Sequence, residues 1–217
     1  MTLILRILVF SLAGAACGLV ARAWISRLQL RRDLPHGLSR RGEWLLAGAT
    51  AVSGGVLGGL TTGSAYPACG LLLLCICGAV TVMDWTSRII PNQTVLALLG
   101  LKLLTALPAF ARVPGFPPFQ PLQSLIGLGA CFLLFCLPGF FGRHVGAGDI
   151  KLAAAMGFLL GLNHALLAVI IMGLLVVGYS LVQNRMPMLK FLKTNIPMGP
   201  FITVGMFTAY AGAPLLL

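Results

Sequence analysis

Acidic side chains are nearly missing from this chain. Asp33, Glu43, Asp84 and Asp149 are the only four among 217 residues, against 15 lysines and arginines. Charged residues of both signs reach 9%, where a soluble domain carries about 25%. No stretch is polar enough, for long enough, to fold by itself in water. That excludes a separate soluble domain and leaves residues 1–217 as one unit. Histidine is scarce as well: His36, His144 and His164 are dispersed, with no HExxH. The six cysteines (17, 69, 75, 77, 131, 136) form no CxxC pair, and Cys75-Ile76-Cys77 has a poor spacing for zinc. They read as small apolar packing residues. There is no GxSxG and no P-loop. Metal-dependent hydrolysis, that type of serine hydrolase and nucleotide hydrolysis all lose their usual signatures, and no metal or cofactor is expected.

What the chain has is apolar sequence. Hydrophobic residues make up 59% and the mean hydropathy is +1.00. This composition reads as an all-α polytopic membrane protein, a bundle of about eight transmembrane helices. The runs are about 2–23, 44–60, 68–83, 94–110, 122–141, 150–160, 165–182 and 197–213. Residues 22–43 read as a basic cytoplasmic loop holding Arg22, Arg27, Arg31, Arg32, Arg40 and Arg41. Run six is short for a crossing, which needs about 20 residues. It implies local thinning, a partial crossing or a water-filled vestibule. Run two is rich in small residues, which let helix backbones approach in lipid.

The net charge of +11 sits on scattered loops, so lipid headgroups and not nucleic acid are the expected anionic partner. Run one is expected to be an uncleaved helix with its N-terminus outside. Then 12 of the 15 lysines and arginines fall at the cytoplasmic side, all but Arg6, Lys102 and Arg112. In that topology Asp84 ends an inward helix and Asp149 begins an outward one. Both reach the cytoplasmic boundary, where the active site is expected.

A carboxylate at membrane depth is costly, about 2.5 kcal/mol or more at mid-bilayer, and usually faces a cavity and a partner. Two carboxylates in one low-dielectric site share a proton, leaving one acid and one base. The base activates water and the acid protonates a carbonyl oxygen, which suffices to hydrolyse a peptide bond without a covalent intermediate. Gly146 and Gly148 precede the second aspartate. They are expected to allow close approach of the backbone to substrate and conformations closed to other residues. Lys151 points to a different helix face from Asp149. It reads equally as a local electrostatic element or as a snorkelling lysine.

The segment Gly146-Ala147-Gly148-Asp149-Ile150-Lys151-Leu152 resembles the GxGDxKL signature of type IV prepilin peptidases, the membrane aspartyl proteases of the GxGD class. Asp84 followed by Ile90-Pro91-Asn92 is similar to a second family motif, and Ile196-Pro197-Met198-Gly199-Pro200-Phe201 to a third. Residues 18–27 are faintly similar to the end of the family's first helix. The three motifs in order are specific to this family, whereas GxGD alone also occurs in presenilin and signal peptide peptidase.

The resemblance implies a catalytic pair, Asp84 and Asp149. It also implies substrate-positioning roles for Gly146, Gly148, Lys151, Pro91, Asn92, Pro197, Gly199 and Pro200. The implied substrates are prepilins or pseudopilins of type IV pili and type II secretion. Their short basic leader would be removed at the cytoplasmic face of the bacterial inner membrane. Many members carry a larger domain with two CxxC pairs, linked to N-methylation of the product. This chain lacks it, so the motifs support the peptidase step. Methylation falls to a separate enzyme, or to this chain without that element. The same carboxylates also fit a proton-coupled transporter, although no convincing inverted repeat supports one. A non-catalytic assembly subunit and an intramembrane GxGD protease are the other readings.

Overall fold

The computed structural model describes residues 2–30, 39–61, 65–107, 119–140, 145–183 and 197–215. Every regular element among them is helical: α1 Leu3–Leu30, α2 Arg40–Leu60, α3 Ala65–Ser87, α4 Asn92–Thr105, α5 Pro121–Phe140, α6 Ala147–Gln183 and α7 Gly199–Gly212, closed by a 3-10 turn Ala213–Leu215. Four of them, α1, α3, α5 and α6, are long and apolar enough to cross a bilayer. The chain is therefore an all-helical, polytopic membrane protein.

Among the described residues the helices number seven where eight were expected, because runs six and seven form one element. α6 continues through both and breaks only at Gly161, where φ is 74° and ψ is 171°. That region of backbone space belongs essentially to glycine. The supposedly short sixth helix is thus the first limb of a long kinked one.

A second departure concerns residues 22–43. α1 runs on through Arg22 and Arg27 to Leu30, and α2 already begins at Arg40. Helix therefore covers 22–30 and 40–43 of the stretch expected as a loop, and residues 31–38 lie outside the described residues. The reason is periodic. Ala21, Ile25 and Leu28 recur at spacings of four and three, and Ile25 and Leu28 pack with Ala79, Val82 and Met83 of α3. The arginines lie between these positions, and Arg22 pairs with Glu43 of α2 at 2.9 Å.

α3 is the centre of the bundle. In its apolar window 72% of residues are buried, against 11% for α1, 11% for α6 and 22% for α5. A helix apolar all round belongs in the interior. α1, α2, α4 and α7 pack around it, and α5 packs on α6. The α5–α6 contact is backbone against backbone. A Cβ on Gly157 would collide with the Gly127 carbonyl, and one on Gly127 with the Gly157 carbonyl. α3 and α7 run side by side in opposite directions. At one end the Tyr66 and Tyr210 rings stack at 4.5 Å, and each hydroxyl donates to the other residue's carbonyl, at 2.6 and 3.0 Å. Toward the other end the hydroxyls of Thr81 and Thr203 hydrogen-bond at 2.8 Å. This double tie fixes the register in which α7 meets the last turn of α3.

Candidate active site

Asp84 occupies the last turn of α3, 5% exposed. Arg88 N–H donates to the Asp84 carbonyl at 3.0 Å and closes the helix. Arg88 then takes φ 52°, rare for a side chain other than glycine, and turns the chain. The Ile-Pro-Asn stretch follows from that turn. Pro91 is buried and caps α4. Its carbonyl accepts from the Thr94 N–H at 3.1 Å and the Thr94 hydroxyl at 2.7 Å. Proline suits this place because it keeps an extended φ of −67° and has no N–H to strand.

Asp149 sits in the first turn of α6, the end at which a negative charge is favoured. The Gly146 carbonyl starts the helix, accepting from Asp149 N–H at 3.0 Å and Ile150 N–H at 3.2 Å. Asp84 and Asp149 line one cavity of about 250 Å³, together with Arg88, Ile89, Ile90, Gly146, Ala147 and Gly148.

The unusual backbone conformations expected at the two glycines of the motif are not found. Neither has a positive φ. What they supply is space inside the site. A Cβ on Gly146 would stand 2.9 Å from Asp149 Oδ2, and one on Gly148 would stand 3.1 Å from the Ile90 Cβ. Gly148 thus lets the turn after Asp84 press against the start of α6, which brings the two aspartate segments together.

Gly199 opens α7 and donates its N–H to Asp84 Oδ2 at 2.7 Å. A Cβ on Gly199 would lie 2.8 Å from the Asp84 Cβ. The third motif therefore buttresses the first aspartate: its glycine is required for the approach, and its helix N-terminus aims an N–H at a carboxylate oxygen. Pro200 accepts the Thr203 hydroxyl at 2.9 Å, so the motif is also held by the Thr81–Thr203 tie. Pro197 is half-buried ahead of the helix. Lys151 is exposed, and its Nζ reaches Asn92 Oδ1 at 3.5 Å, the outer limit of a hydrogen bond between two motifs. Pro91, Asn92, Lys151, Pro197 and Pro200 do not line the cavity.

Sequence reasoning did not single out Arg88 and Ile90 as site residues, nor Thr81 and Thr203. Thr81 had a readable signal, since it lies three residues before Asp84 on the same helix face. The unusual φ of Arg88 had none.

A model of the type IV leader peptidase family matches residues 71–181, just over half of the chain. The match takes in both aspartate segments and the helices between them. No curated protein and no solved structure shows a significant match.

Proposed function

The chain belongs to the type IV leader peptidase family, and from that premise we propose that it is a membrane aspartyl endopeptidase using Asp84 and Asp149 to hydrolyse the leader of a prepilin or pseudopilin. One observation carries the reading. Two of the four acids in the sequence, 65 positions apart, line a single cavity at a helix end. One carboxylate takes a proton from water as its oxygen attacks the scissile carbonyl. The other, protonated, gives its proton to the carbonyl oxygen. The tetrahedral intermediate then collapses, the C–N bond breaks and the leaving nitrogen takes a proton from the pair. The Gly199 N–H holds Asp84 in one orientation throughout, so little reorganisation is needed during the reaction.

On this reading the cavity faces the cytoplasm of a bacterial inner membrane, supported by the excess of lysine and arginine at that end of the helices. A substrate whose basic leader stays in the cytoplasm and whose apolar stalk enters the membrane brings its cleavage bond to that depth. The transfer of one methyl group to the product is left to a separate enzyme or to this chain without a cysteine-bearing domain.

The test is cleavage of a purified prepilin by the full chain in lipid, followed by mass spectrometry. Wild type is expected to release the leader. Asp84→Asn and Asp149→Asn, shown folded by circular dichroism, are each expected to lose at least about 10²–10⁴-fold in rate, the usual worth of a general acid or base. Retained cleavage in both folded variants would exclude the dyad. The product mass with methyl donor present reads methylation directly.

A further inference from the structure

A second and slightly larger cavity, about 280 Å³, lies at the other end of the bundle. Tyr66 lines it, and Tyr66 and Asp84 are 18 residues apart on α3, or about 27 Å along the axis. Nothing in the proposed peptidase step uses this cavity.

Its lining is rich in donors. Lys102, in the last turn of α4, lines it half-buried, and the contact its ammonium makes is with the Phe119 ring, 5.5 Å from the centroid. The sequence contains no acid from 85 to 148 and none after 149, and no described acid lines this cavity. Ser124, near the start of α5, is 1% exposed and is one of the lining residues, and its hydroxyl has no hydrogen-bond partner among the described residues. A buried hydroxyl and a partly withdrawn ammonium are each unfavourable when left without a partner.

The third contribution comes from the break at Gly161. There the helix stops and restarts, and Leu162, Asn163 and His164 line the same cavity. The limb over 162–183 is long, and its first turn presents backbone N–H groups with the positive end of the helix dipole. A helix start, an ammonium and an orphaned hydroxyl around one void make a donor set for a tetrahedral oxyanion.

We propose that this cavity, between Lys102, Ser124 and the helix start at Leu162, binds a phosphate-type anion, either free or as the headgroup of an anionic lipid. The bound anion ties the ends of α4, α5 and the second limb of α6, and so stabilises the bundle. The proposal stands apart from the catalytic reading.

The experiment follows thermal unfolding of the full chain in a neutral detergent, in phosphate-free buffer at constant ionic strength. Inorganic phosphate is titrated in one arm and short-chain phosphatidylglycerol in another, with chloride and a neutral diacylglycerol as references. Wild type is expected to rise in Tm with at least one phosphate probe and not with its reference. Lys102→Met and Ser124→Ala are each expected to need at least tenfold more probe for the same rise. Lys151→Gln, at the far end, keeps the wild-type response. A rise with phosphate identifies the free anion as sufficient. A rise with the lipid alone identifies the headgroup. No rise with either probe, or the same rise in wild type and Ser124→Ala, overturns the proposal. Should Lys102→Met not fold, Ser124→Ala carries the comparison.

Discussion

Gly199 shows how little material separates a motif from a site. Its N–H reaches Asp84 Oδ2 because no side chain stands between the start of α7 and the end of α3. An added methyl would lie 2.8 Å from the Asp84 Cβ and 3.0 Å from its Cγ, so either the carboxylate or the helix must move. Displacements of this kind are severe for catalysis, where a shift of about 1 Å costs about 10²-fold. Gly199→Ala is therefore expected to keep its helical circular dichroism and lose prepilin cleavage by about that factor. An unchanged rate would mean that the contact is incidental. The roles of Gly146 and Gly148 were legible in part. Their smallness could be read from the motif, but the reason for it could not, because Ile90 meets Gly148 only across the folded site.

Helix contacts in this chain depend on where backbones touch. Gly157 and Gly127 face each other with no room for a methyl on either, whereas Gly173, on the same helix as Gly157, has nothing within 4 Å of an added Cβ. Gly157→Ala and Gly127→Ala are expected to lower the Tm of the purified protein by several degrees. Gly173→Ala is expected to leave it unchanged or raise it, since alanine favours helix by about 1 kcal/mol over glycine. Equal effects at positions 157 and 173 would contradict the close α5–α6 approach. Helix existence was readable from the apolar runs, and their ends mostly within a few residues. The fusion of runs six and seven was not. Asn163 and His164 lower local hydropathy and imitate a loop, yet the helical path resumes immediately after one glycine.

Across the whole molecule, the helix ends sort into two groups. Ser39 at the start of α2 is at the end where Arg22 pairs with Glu43, and Gln120 before α5 is beside the second cavity. Both are exposed. Under the proposed topology Ser39 faces the cytoplasm and Gln120 the opposite side. In a variant lacking its native cysteines, Gln120→Cys is expected to react with a membrane-impermeant thiol reagent in intact cells. Ser39→Cys should react only after the membrane is opened. The reverse pattern would place the aspartates outside and remove the cytoplasmic leader as substrate.

By itself, the sequence pointed to the membrane, the helical class and the family, and singled out two aspartates as candidates. Hydropathy, charge and motif spacing are properties of contiguous residues, and a chain so poor in acids leaves few candidates for acid–base chemistry. The tertiary structure alone decided how those pieces meet. Asp84 and Gly199 are 115 positions apart, and Thr81 and Thr203 are 122. No local pattern encodes such pairings, because they depend on how α3 and α7 pack in opposite directions. The second cavity has the same origin. Lys102, Ser124 and the break at Gly161 lie on three different helices, and only their packing turns three unremarkable positions into one donor-lined void.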